Sequence, residues 1–429
     1  MRQCKNILLV NFHSAKNAGD LALLEQSITY LKQAFRSPRI TILSNWPNEI
    51  ELKTLDAETL PSIWSIVGVG DQTRKPLLQV FAFLEGFIYL FTWLLGARTK
   101  STNSHRFSWE QVFSALRNSD LVIAVPGNQM FSSSRKPWPL PTLVYPLWLA
   151  EIFHRKVIIL PQSIGPFRTS LEKSLVASVY NNADKVFIRD EISLKLAKSM
   201  KISDSNPEIF PDLAFSYPSQ KKQEAISLLE KHGWKSGQKN IGLTVIAPMP
   251  SYLNSQMMTI YYQTLSSAIG DMVESGHHFY IFNQVTGPSK DENDGLASDR
   301  LIQSFHGPIS NYIHQINDIL SPSLLKASYG LMDAFIASRL HSGIFSISMN
   351  IPTLFIGYLH KTKGILGPLG LEHLFLDIDS LTINDITTKV HYLLDNTSEL
   401  TSTLTTINCD IANKLDSLPS KLQEIWQTP

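Results

Sequence analysis

The sequence predicts an α/β protein made of two Rossmann-like domains facing across a cleft, each a parallel sheet with helices on both faces. Three observations carry this. Short apolar runs alternate with stretches of helical period along most of the 429 residues, the pattern that βα repeats and parallel sheets produce. The runs Lys156-Val-Ile-Ile-Leu160 and Thr353-Leu-Phe-Ile-Gly357 do not alternate, as strands buried on both faces require. Finally, Asp120-Leu-Val-Ile-Ala-Val, Asp184-Lys-Val-Phe-Ile-Arg and Asp333-Ala-Phe-Ile-Ala-Ser each close a helix with an aspartate and open a strand. The last two turn directly into a new helix, so one architecture is used twice.

Strands are expected at 6–12, 39–43, 120–125, 156–160 and 185–189, then at 240–247, 277–283, 333–337, 353–357 and 374–378. Helical spacing marks 20–35, 169–182, 191–200, 222–232, 257–275 and 322–331. The polar stretch 216–222 contains a proline and has no periodicity, which sets one domain at 1–218 and a second at 219–395. The tail 396–429 spaces Leu400, Leu404, Ile407, Ile411 and Leu415 as a helix and is expected to pack back across the first domain.

A hydrophobic fraction of 43% excludes a disordered chain. Lys+Arg number 38 against 37 Asp+Glu, so no global field recruits nucleic acid, and an anionic ligand must meet a local cluster of cations. The two cysteines, Cys4 and Cys409, lie far apart in sequence and offer neither a disulfide scaffold nor a zinc site. The apolar run Ile7–Val10 is too short for a secretory signal, and a cytoplasmic protein is expected.

Residues 76–97 differ from the rest. They carry one charge, Glu85, between Arg74, Lys75 and Arg98, Lys100. On a helix, Glu85, Tyr89, Thr92 and Gly96 share one narrow face, with Gln79 about a third of a turn away. The segment suits a helix lying in a membrane surface or one buried in the core or in an oligomer contact. A span is disfavoured, because it would put the first strand and the rest of its sheet on opposite sides of the membrane.

The strongest candidate site is Ser338-Arg339-Leu340-His341-Ser342-Gly343, where a buried strand gives way to a helix. Ligands of open α/β sheets gather at such strand ends. The helix N-terminus and Arg339 suit a phosphate or carboxylate, and His341 can exchange a proton beside it. Arg189 ends another strand, with Asp190 placed to cap the following helix. The first βα loop, Asn17-Ala-Gly19-Asp20, lacks the glycines of a dinucleotide fingerprint. Asn17 and Asp20 can hold a turn or accept sugar hydroxyls, and Asp20 alone reads equally as a helix cap. Asn128, Gln129 and Gln162 sit in two amide-rich loops after strands, Lys361 follows another strand, and 283–294 is a further polar loop. No histidine or carboxylate spacing forms a convincing metal site.

In this order, Asn17-x-Gly19-Asp20, Ile164-Gly165-Pro166, Arg189-Asp190-x-x-Ser193, Pro211-Asp212-Leu-Ala-Phe215, Asp333-x-x-Ile336-x-Ser338-Arg339-Leu340-His341 and Gly357-Tyr-x-x-Lys361 resemble the polysaccharide pyruvyl transferase family. The resemblance covers about 6–378, and Arg-Leu-His is its most specific part. It implies a GT-B-like fold and transfer of pyruvate from phosphoenolpyruvate to two hydroxyls of a saccharide as a cyclic ketal, without a cofactor or metal. Carried over, the donor contacts would be Arg189, Arg339, Leu340 and His341, with Lys361 adding charge. His341 would be the general acid/base and Arg339 the stabiliser of departing phosphate. Acceptor contacts are expected from Asn17, Gly19, Asp20, Asn128, Gln129 and Gln162, with Asp20 and Asp190 as secondary candidates for deprotonating a hydroxyl. If 76–97 lies on the inner face of the cell membrane, the acceptor would be lipid-linked. Two other readings stay open: a GT-B glycosyltransferase using a nucleotide sugar, and a non-catalytic carbohydrate-binding relative.

Overall fold

The computed structural model describes residues 3–69, 76–94, 104–132, 139–203, 206–247, 254–357 and 360–428. Asn6–Phe12 (β1), Arg39–Ser44 (β2), Glu58–Pro61 (β3), Leu121–Ala124 (β4), Gly127–Met130 (β5), Lys156–Ile164 (β6), Lys185–Ile188 (β7) and Pro207–Ile209 (β8) form the first sheet, ordered β3-β2-β1-β4-β6-β7-β8 with β5 paired to β6. Lys239–Thr244 (β9), His277–Phe282 (β10), Ile313–Ile316 (β11), Ala334–Ala337 (β12), Thr353–Gly357 (β13) and Phe375–Asp377 (β14) form the second, ordered β11-β10-β9-β12-β13-β14. Every ladder is parallel. The direction of winding reverses between β1 and β4 and between β9 and β12, and these switch points open the crevices in which α/β sheets hold ligands.

The recurring aspartates have a common task. Asp120 accepts the backbone N–H groups of Lys5 and Asn6, Asp184 that of Val157, and Asp333 that of Asn240. Each carboxylate stands at the start of its strand and ties down the start of a neighbouring one, satisfying donors that the ladder leaves over.

Burial along β1 shows why the runs do not alternate. Ile7 and Leu9 join one core and Leu8 and Val10 the other, so both faces are covered. The first of these cores continues without a break through Leu213 and Tyr217 into the second half and on to the tail helices. Those helices, Thr397–Asp416 and Leu418–Gln427, bury Leu400, Leu404, Ile411 and Leu415. They reach the first half, where Trp426 meets Phe35 edge-on at 6.4 Å, Gln423 donates to the Ala34 carbonyl, and Lys421 pairs with Glu208 at 3.0 Å.

Two expected loops are strands. β6 runs on past Leu160 to Ile164, and Gly127–Met130 pairs with it. Gln162 therefore points into a core rather than lying on a loop.

Of 76–97, the helix Pro76–Leu94 is described, while Gly96 and the four flanking cations lie outside the described residues. Its polar side faces the protein: Gln79 is buried and donates to the Gly68 carbonyl at 2.9 Å, Gly86 lies against the Trp109 ring, and Tyr89 stacks on Phe113 at 5.6 Å. Leu77, Phe81, Ile88 and Phe91 on the other side are 64%, 59%, 66% and 65% exposed. Among the described residues, no helix is long and apolar enough to cross a membrane.

Candidate active site at the domain interface

β7 ends at Ile188, and Asp190 caps the helix Glu191–Ser199 by accepting the Ser193 N–H at 2.7 Å. Its second oxygen accepts the hydroxyls of Ser163 and Ser193, both at 2.7 Å. Arg189 is clamped beside it, donating Nε to Ser163 Oγ at 2.8 Å and Nη1 to Asp212 at 2.6 Å. Both side chains of this ion pair are 1% exposed. Such a pair persists in the interior only because its geometry and extra hydrogen bonds offset the desolvation.

The second half repeats the arrangement. β12 gives way through Ser338 to Arg339, the N-cap position of the helix Leu340–Ser348. Arg339 donates Nε to the two oxygens of Asp294 at 3.0 and 3.3 Å, and its Nη2 joins the same carboxylate. Asp294 is fully buried, whereas 10% of the Arg339 side chain remains exposed.

His341, in the first helical turn, looks across to the first half. Its Nε2 lies 3.8 Å from Asp212 and has no hydrogen-bond partner among the described residues. The ring rests on Gly19, where an added Cβ would lie 2.1 Å from Nδ1; no other residue lets the two halves close this far. Asn17 caps the helix Ala18–Ala34 by accepting the Gly19 and Asp20 N–H groups. The cap is therefore Asn17 and not Asp20, whose carboxylate is left beside His13 and His341. The Ala18 N–H donates to the Gln284 carbonyl at 3.0 Å, and the Thr286 N–H to that of Lys16 at 2.9 Å, tying the rim shut.

The charges act on one another across the interface. Burial would raise the Asp212 carboxyl, but the Arg189 guanidinium and His341 hold it well below the usual carboxylate range. Burial raises Asp20 despite the opposing charges of His341, His13, Lys361 and Arg189, and it raises Asp294 despite Arg339. Lys361, at the start of the helix His360–Leu366, is lowered to about 7 by burial and by the positive charges of Arg189 and Arg339. Positive charges from both halves thus repel one another here, an arrangement that a ligand with several negative charges would relieve.

The structure brings together Arg189, Arg339, His341, Lys361, Gly19 and Asp20, with Leu340 opening the helix and Asn17 holding the turn. Gln162 stands apart. Its amide donates to the Val125 carbonyl at 2.8 Å and accepts from the Tyr180 hydroxyl at 3.0 Å, so both ends are engaged in the core. Asn128 and Gln129 lie half-buried on β5 against the end of β6. The partners that sequence reading missed are Asp212 and Asp294. Each is buried and opens a helical turn, where an aspartate reads as a cap.

Residues 17–360 match the profile of the family described as polysaccharide pyruvyl transferase. The amylovoran biosynthesis protein AmsJ of Erwinia amylovora is 24% identical over 416 residues, covering 92% of this chain and 93% of that protein. Among solved structures, Anabaena Alr3699/HepE, in complex with UDP and glucose, is similar with a TM-score of 0.59 at 9% identity over 100% of both chains. A glycosyltransferase from Rickettsia africae gives 0.57 at 13% identity over 99% of this chain and 98% of its own. At these identities the likeness is one of fold: the two-domain Rossmann-like arrangement of GT-B proteins, as the βα repeats led one to expect.

Proposed function

The chain belongs to the polysaccharide pyruvyl transferase family, and from that premise we propose that it moves the pyruvyl group of phosphoenolpyruvate onto two hydroxyls of a saccharide, forming a cyclic ketal. The observation that supports this donor is the pair of arginines contributed by opposite halves, each oriented by a buried carboxylate, with His341 facing Asp212 and Lys361 within the field of both arginines. Phosphoenolpyruvate presents a phosphate and a carboxylate; the partly open Arg339 fork suits one of them, and the buried Arg189 adds positive field to the same place.

The residues divide the chemistry as follows. His341, protonated, gives its proton to the methylene carbon, and cationic character develops at C2. An acceptor hydroxyl oxygen bonds to C2 and passes its proton to Asp20. The C2–O bond to phosphate then breaks, with Arg339, Lys361 and the helix N-terminus stabilising the leaving phosphate. The second hydroxyl closes the ring on C2, returning a proton to His341. The proton held by Asp20 leaves with phosphate, and both groups are reset.

The exposed apolar side of the Pro76–Leu94 helix supports a finer reading: peripheral contact with the inner face of the cell membrane, and an acceptor carried on lipid. The chain neighbours of the helix, Arg74, Lys75, Arg98 and Lys100, suit an anionic surface. Flotation with anionic vesicles is expected for the wild-type protein and is expected to be lost in a Phe81→Asp/Ile88→Asp variant. Equal flotation of both would sink the membrane contact.

The donor is tested by thermal unfolding with phosphoenolpyruvate against UDP- and GDP-sugars. At about a hundred times its dissociation constant, a ligand of the folded state stabilises by roughly 2.7 kcal/mol. Phosphoenolpyruvate alone is expected to do so, and Arg339→Ala to abolish the effect. Stabilisation by a nucleotide sugar instead would replace this reading with a glycosyltransferase.

A further inference from the structure

β1, β2 and β3 are neighbours, and each releases one ring-bearing residue just past its C-terminal end: His13, Trp46 and Trp64. His13 meets Trp64 edge-on at 5.8 Å, and Trp64 meets Trp46 at 5.8 Å. The donor chemistry uses none of them. They are nevertheless positioned with care. The Ser62 hydroxyl donates to Asn45 Oδ1 at 2.6 Å, and Asn45 Nδ2 lies 3.1 Å from His13 Nδ1. With Oδ1 accepting, the Asn45 amide donates to Nδ1, and a neutral His13 carries its proton on Nε2.

That Nε2 faces Glu292, 3.8 Å away and contributed by the other half of the molecule. The gap is too long for a hydrogen bond, but one hydroxyl approaching from the side can accept from His13 and donate to Glu292. Both side chains keep part of their surface open, at 27% and 31%, and the two indoles are half-buried. Trp46 Nε1 is buried with no hydrogen-bond partner among the described residues. The loop carrying Glu292 is held over the first half by the hydrogen bond from Thr286 to Lys16. His13 also lies within the field of Asp20 and Glu49, so the cluster adjoins the reacting groups.

Two indole walls with a shared histidine–carboxylate position fit a neutral, polyhydroxylated ring, whose apolar face packs on the aromatic surface while its edge is hydrogen-bonded. Glu292, Glu49 and Asp20 around His13 make the same place hostile to a phosphate. We infer that His13, Trp46, Trp64 and Glu292 form the subsite that holds a pyranose ring of the acceptor. This inference rests on the reading of the chain as a pyruvyl transferase with a saccharide acceptor.

The test uses the full chain and saturation-transfer NMR with the methyl glycosides of glucose, galactose and mannose, comparing wild type with Trp64→Ala and Glu292→Gln. At least one glycoside is expected to receive saturation at its ring protons in wild type, and each variant to weaken its affinity about tenfold. Glu292→Gln is isosteric and partly exposed, so it carries the test if Trp64→Ala fails to fold. No transfer to any of the three glycosides, or equal transfer in wild type and both variants, would overturn the subsite. Thermal stabilisation by phosphoenolpyruvate, read on the same samples, is expected to persist in both variants. Its absence from wild type alongside intact glycoside signals would count against the donor while leaving the subsite standing.

Discussion

Arg189 and Arg339 hold equivalent places, one residue or two past a strand and just before a helix, yet they are held differently. Arg189 is sealed, fixed by Ser163 and Asp212 in a network that also holds the cap of its own helix. Arg339 is held by Asp294, fully buried beneath it, and keeps a tenth of its side chain open. In the proposed reading the first supplies field from the floor, and the second, the more open of the two, is the guanidinium the donor reaches. His341 connects them, standing two residues after Arg339 while facing the aspartate of Arg189. A site assembled in this way is complete only when the halves are in register.

Removing the open arginine should have the largest effect. Arg339→Ala is expected to lower kcat/KM about a thousandfold, as loss of an oriented charged donor does, and Arg339→Lys to recover little of it, because the bidentate geometry goes with the guanidinium. Full rescue by lysine in steady-state assays would show that only charge is needed.

Breaking the sealed pair should act mainly on stability. Asp212→Asn leaves Arg189 uncompensated in the interior, a loss of about 3–5 kcal/mol in chemical denaturation. The sign of its pH dependence follows from the lowered carboxyl. The contribution of Asp212 is full above its ordinary value of 3.8 and is lost as acid titrates it below that. The gap between wild type and variant should therefore narrow at pH 3; a constant gap would locate the effect elsewhere.

Gly19→Ala probes the register between the halves. Its Cβ would collide with the His341 ring, and the displaced imidazole should cost about ten- to a hundredfold in kcat, with unfolding changed by only about 1–3 kcal/mol. Unaltered kcat would mean that the ring does not need its present position. The smallest effect is expected at Lys361. With its amine lowered to about 7, it is charged at pH 6 and largely neutral at pH 8, so its contribution to phosphoenolpyruvate affinity falls over that interval. Calorimetric titrations at the two pH values should show Lys361→Met losing more affinity at pH 6, by up to about tenfold.

What could be read in the sequence tracks burial. Strands covered on both faces announce themselves as apolar runs, whereas β3, β8 and β11 lie at sheet edges and are short, with polar residues among the apolar. Arg189, Arg339 and His341 stand out because charge follows directly on such a run. Their partners do not, because the pairs Arg189–Asp212 and Arg339–Asp294 span 23 and 45 positions and exist only once the chain is folded. Gln162 misleads for the opposite reason. Its proline- and glycine-flanked amide reads as loop, and only the continuation of β6 to Ile164 turns it inward.

Besides the covalent linker and the packing of His341 on Gly19, several further contacts among the described residues join the two halves. Lys326 grips the linker through the carbonyls of Phe215 and Tyr217, at 3.0 and 2.6 Å. The loop beyond β10 is hydrogen-bonded to the first βα turn, and the tail helices return to the first half. A jaw pinned in this way has little travel. If the acceptor is a long saccharide chain, as proposed, wide opening is not available to swallow and release it: a projecting unit would be modified at the rim while the rest of its length stays in solvent.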